Sequence, residues 1–62
     1  MPNENMKKLA KEAMAKKIEC EQLIKNIKHN MKNYPEIAYH QTIDLKQCSQ
    51  KLAGILQKIS EV

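Results

Sequence analysis

The sequence predicts an all-α fold, an antiparallel two-helix hairpin, and three observations predict it. Apolar residues recur at alternating spacings of three and four in two separate stretches, as they do in amphipathic helices packed along a seam. A short segment containing Pro35 separates the two stretches. Residues suited to strands and tight turns are scarce, with two Tyr, no Trp or Phe, one Gly and two Pro among 62 residues. At that length the chain is one hairpin domain over 1–62, too small for a large enclosed pocket.

The first helix is expected over about residues 4–33. Met6, Ala10, Ala13, Lys17, Cys20, Ile24, Ile27, Met31 and Tyr34 follow the seam spacing, and Lys17 is their only charged member. Ala10, Lys17, Ile24 and Met31 take the heptad a positions, and Ala13, Cys20, Ile27 and Tyr34 the d positions. Leu9, Met14, Ile18 and Leu23 lie on the flanks and widen the apolar face. Asn3 or Asn5 can cap the start, with Glu4 in the first turn, and Pro35 ends the helix by disfavouring helical geometry at Tyr34. A connection is expected over about 34–41, with Tyr34 and Tyr39 packing in the loop and at a helix end.

The second helix is expected over about 42–61, with Thr42 as N-cap and Asp44 complementing the helix dipole. Its seam is Leu45, Cys48, Leu52, Ile55, Ile59 and Val62, without a polar member. Helices of about 45 Å and 30 Å leave the first ten residues of the longer one uncovered. That overhang carries Met6, Leu9, Ala10, Ala13 and Met14 and favours a second copy, giving a dimeric four-helix bundle. With the turn centred near residue 38, Cys20 and Cys48 are staggered by about 12 Å, too far for a disulfide.

Eleven Lys, no Arg and seven acidic residues give a net charge of +4, which suits an acidic partner. Base reading leans on Arg forks and single-strand binding on aromatic stacking, so nucleic acid is not an expected partner. Wholly apolar runs reach only three residues, as in Ala13-Met14-Ala15, against the roughly 20 that span a bilayer, so neither a membrane partner nor a signal peptide is expected and the chain is read as cytoplasmic. Cys20, Cys48, His29 and His40 are scattered and fit no zinc spacing, so no metal site is proposed; His29, at an f position, reads as solvated.

On the second helix Gln50 points most directly away from the seam, with Lys46, Ala53, Gly54 and Gln57 around it and Ser49 and Lys51 beside it. Gly next to Ala makes a low patch that another backbone can approach, at a cost near 1 kcal/mol for an exposed helical Gly. The stretch from Leu45 to Leu56 resembles the signature of the stage-zero sporulation protein E-like family, Ser-Gln-x-Leu-Asp followed by an apolar pair. Ser49, Gln50 and Leu52 match it, and Ala53 stands where the family has Asp. Without gaps, Ile24, Ile27 and Met31 fall on that family's first-helix apolar positions and Thr42 on its second-helix cap, so the resemblance covers about residues 18–59.

The resemblance implies a negative regulator of sporulation in bacilli, a hydrolase that dephosphorylates the aspartyl phosphate of a response-regulator receiver domain, stage-zero sporulation protein A. It implies Gln50 as the catalytic residue that positions the hydrolytic water. Lys46, Ser49, Lys51, Ala53, Gly54 and Gln57 would contact the partner. No cofactor of its own is expected, since the receiver supplies Mg²⁺. With the motif carboxylate absent at Ala53, a non-catalytic receiver-binding or oligomerisation hairpin is the alternative.

Overall fold

A computed structural model describes residues 4–61, and the chain is an all-α hairpin of two helices packed against each other, α1 (Glu4–Asn33) and α2 (Pro35–Ser60). Among the described residues there is no strand. The molecule is a rod 51 Å long and 14 × 10 Å across. Expectations that fall on Asn3 as a cap and Val62 as a seam residue lie outside the described residues. Asn5 is within the first turn of α1 and is not its cap.

α1 has the expected bounds, but α2 begins seven residues earlier than expected, at Pro35 instead of Thr42. Pro disfavours a helical predecessor, and it is also well suited to the first helical position, where its missing N–H needs no partner and its φ is already set. Tyr34 alone breaks the helical path, with φ −135° and ψ 66°. Its N–H donates to the Asn30 carbonyl at 2.7 Å, and its own carbonyl accepts from the Ala38 N–H at 3.0 Å, so one residue closes the first helix and opens the second. The connection expected over 34–41 is therefore mostly helix. Thr42 lies inside α2, where its hydroxyl donates to the Tyr39 carbonyl, and Tyr39 sits on α2 with its ring edge-on to that of His40. Tyr34 is exposed at the junction.

The early start of α2 resets the pairing of the helices. Asn30 Nδ2 donates to Gln41 Oε1 at 2.9 Å across the interface, a polar peg near the turn. Further along, the Cys20 thiol is hydrogen-bonded to Cys48, and Cys48 Sγ–H reaches the Lys16 carbonyl at 3.7 Å. The expected 12 Å stagger of the cysteines is thus corrected: both are buried, both are free, and they sit side by side. The expected overhang also disappears, because Lys58 and Glu61 line a cleft with Asn5, Lys8 and Leu9 at the open end.

The core is narrow. Its buried side chains are Ala13, Cys20 and Ile27 from α1 with Ala38 and Cys48 from α2. On α2 the half-buried residues are Gln41, Leu45, Leu52, Ile55 and Ile59, so the seam expected from Leu45 to Ile59 is the seam that forms. On α1 the expected d positions Ala13, Cys20 and Ile27 are buried, whereas Ala10, Lys17, Ile24 and Met31 are exposed. Leu9, Lys16, Leu23 and Asn30, one residue earlier in each heptad, turn inward instead. The apolar face of α1 is wider than a single helix can cover, and α2 settles on one half of it. Lys16, not Lys17, is the charged member at the seam; its ammonium reaches outward to Glu19 Oε2 at 2.9 Å, which raises its pKa.

The hydrogen bond to Cys48 and burial push the Cys20 thiol up to about 11. A thiol so raised favours the folded state while it is protonated. That contribution is fully present below the ordinary thiol value of 9.0 and is lost as pH rises through about 11. Alkylation of Cys20 in the folded chain is accordingly expected to be much slower at pH 8 than in urea-unfolded chain, and to accelerate only toward pH 11. Equal rates in the two states at pH 8 would contradict the buried pair.

Candidate functional site

The outer face of α2 is built by helical spacing alone. From Gln50, one turn back is Lys46, one turn on are Ala53 and Gly54, and two turns on is Gln57, and all of these are exposed. Ser49 and Lys51, also exposed, flank Gln50 in sequence and point to opposite sides of it. Leu52 is half-buried at the seam, where it anchors this stretch of helix. Lys46, Gln50, Ala53, Gly54 and Gln57 thus share one solvent-facing strip, with Ser49 and Lys51 exposed at its two sides.

The polar groups of the strip differ in their freedom. Ser49 Oγ donates to the Lys46 carbonyl at 2.8 Å, so its hydroxyl proton is held against the helix. Gln57 Nε2 leans toward Glu61 Oε1 at 3.4 Å. The Gln50 carboxamide makes no side-chain hydrogen bond among the described residues, leaving its carbonyl and its amino group open to a ligand. Lys46 and Lys51 form no ion pair among the described residues, so both charges are available to an acidic partner.

Gly54 has an ordinary helical φ, and a Cβ built on it meets nothing within 4 Å. Nothing inside the chain requires glycine there. Gly54→Ala is expected to stabilise the hairpin by about 1 kcal/mol, raising Tm by roughly 5 °C in a thermal melt. If the low patch is where a partner's backbone approaches, the same change weakens partner binding while it stabilises the fold.

Gln50 lines none of the clefts at the turn (Asn33 to Ile37), at the open end (Asn5 with Lys58) or along the flank (Met14 with Leu56). It stands on a convex surface, which suits docking onto a macromolecule and offers no enclosure for a small substrate. His29 lies on α1 eleven residues beyond Ile18, the residue that the pairing of Cys20 with Cys48 sets near Gln50's level, about 16 Å along the axis, so it is not brought to Gln50. Among the described residues no group of His, Cys, Asp and Glu is arranged to hold a metal, and no helix is long and apolar enough to cross a membrane.

Sequence reasoning missed the thiol pair and the Asn30–Gln41 peg. Both follow from starting α2 at Pro35, so the overlooked signal was the preference of Pro for the first position of a helix. No protein-family model, no curated protein and no solved structure matches the chain.

Proposed function

We propose that this chain is a cytoplasmic negative regulator of sporulation that binds the receiver domain of stage-zero sporulation protein A and speeds hydrolysis of its aspartyl phosphate. The observation that carries the reading is the Gln50 amide, unpartnered within the chain at the centre of an exposed helical strip, within the run Ser49-Gln50-Lys51-Leu52. The chemistry asks little of the hairpin. An acyl phosphate has a good leaving group, and a receiver domain brings its own Mg²⁺ and Lys, so what is lacking is a water held in line with the phosphorus.

Gln50 supplies that in this reading. Its amide oxygen accepts a hydrogen bond from the water and its amino group donates one, aligning a lone pair with the P–O bond to the aspartyl carboxyl. The water oxygen bonds to phosphorus, the bond to the carboxyl oxygen breaks, the receiver's aspartate leaves as a carboxylate, and the water's proton passes to phosphate or solvent. Lys46 and Lys51 draw the strip to the acidic receiver pocket, Ala53 and Gly54 permit close approach, and Ser49 and Gln57 contact the rim.

Ala53, in place of the motif's Asp, favours a second reading in which the hairpin occupies the receiver without turnover. Mixing phosphorylated receiver with the chain, and separately with its Ala53→Asp variant, distinguishes the two. Faster phosphate release with the unmodified chain is the expected result. Binding without release, with activity gained in the variant, would assign the chain to the non-catalytic reading, and absence of binding by both would overturn the receiver as partner.

A further inference from the structure

The flank of α1 that α2 leaves uncovered carries an ordered pattern. Reading along it at spacings of four and three come Ala10, Met14, Lys17, Glu21, Ile24 and Lys28, all exposed. Met14 and Ile24 are 57% and 41% exposed, large apolar groups in water. Lys17 and Glu21 form no ion pair among the described residues. Beside them Leu52, Leu56 and Ile59 of α2 continue an apolar groove with Ala10, Ala13 and Met14.

We propose that this flank binds a second copy of the chain, with the two α1 helices antiparallel about a two-fold axis that passes between Lys17 and Glu21. In that register Lys17 faces Glu21 of the second copy, Glu21 faces its Lys17, and each Met14 packs on the other copy's Ile24. Other arrangements lose these matches. Sliding one heptad one way sets Lys17 against Lys28, sliding it the other way sets Lys17 against Met14, and a parallel pair sets Lys17 on Lys17 and Glu21 on Glu21. The charge pattern therefore selects one orientation and one register.

The same axis suits α2. Because Cys20 lies beside Cys48, an axis near residue 19 of α1 crosses α2 near residue 49, between Leu45 and Leu52 on the same flank. A face two helices wide over residues 10–28 buries about 1,100 Å² in total, just above the roughly 1,000 Å² that a specific interface clears. The hairpin core, whose buried side chains are Ala, Cys and one Ile, leaves a small chain reason to share a core with its copy. Gln50 lies on α2 away from this flank and stays open in the pair, whereas Ser49, between Leu45 and Leu52 on the flank side, is covered by the second copy.

Sedimentation equilibrium of the full chain tests the proposal through its charges. The unmodified chain is expected to dimerise with concentration. Lys17→Glu alone and Glu21→Lys alone each place like charges across the axis twice, and each is expected to weaken self-association about tenfold or more while retaining its helical circular dichroism. Mixing the two single variants restores the pairing and is expected to return a dimer, as is K17E/E21K combined in one chain. A monomer at all concentrations, or single variants that associate as well as the unmodified chain, would overturn it. So would a monomer that co-sediments through this flank with anionic lipid vesicles.

Discussion

Replacing Ile27 by Ala is expected to unfold most of the hairpin. Ile27 is the one large side chain in a buried set otherwise made of Ala13, Ala38, Cys20 and Cys48, so it supplies most of the volume of that set. Truncating a buried Ile to Ala costs about 2–5 kcal/mol, and a core in a chain this short supplies only about 3–5 kcal/mol. The helical signal of the variant at 25 °C should be largely lost, or its urea midpoint should fall close to zero. Ile18→Ala is the control. That residue is 60% exposed, and its loss should change stability by no more than about 0.5 kcal/mol. Equal effects of the two substitutions would mean that the core is not where this hairpin has it.

The second large effect is on turnover. Gln50→Ala removes the amide at the centre of the outer strip, which can both donate to and accept from a water, and nothing adjacent replaces it: Ser49 is tied to the Lys46 carbonyl and Gln57 lies two turns away. In the proposed mechanism the attacking water is then misplaced, and the rate of aspartyl-phosphate hydrolysis is expected to fall by roughly 100-fold. Because Gln50 is exposed and makes no hydrogen bond with the described residues, the variant should keep its circular dichroism and its affinity for the receiver to within a few fold. Loss of rate with folding and binding intact identifies a residue that acts on the reaction, and an unchanged rate would remove Gln50 from the mechanism.

The second helix could be read from sequence because its apolar stripe is narrow. Leu45, Cys48, Leu52, Ile55 and Ile59 leave one way to face a neighbour, and that face fixes Gln50 on the outside. The first helix is different. Its apolar residues extend to both sides of Ala13, Cys20 and Ile27, so periodicity alone does not say which half the second helix covers. The choice went to the side of Leu9, Lys16 and Leu23, leaving Ile24 and Met31 in water. The turn was misplaced for a separate reason. Pro35 both stops one helix and starts the next, and the seven-residue advance of α2 brings Cys48 beside Cys20. The exposure of Gln50 and its neighbours on α2 follows from 3.6-residue geometry within a single helix and does not depend on how the two helices pair.

The most direct measurement is the lifetime of the aspartyl phosphate on an isolated sporulation receiver domain, followed by loss of radiolabel while the chain is titrated from substoichiometric amounts to excess. The lifetime is expected to shorten with added chain, to level off once the receiver is bound, and to be restored when Gln50→Ala is used instead. A lifetime that stays constant across the whole titration, with the receiver shown to be bound, would contradict catalysis by this hairpin.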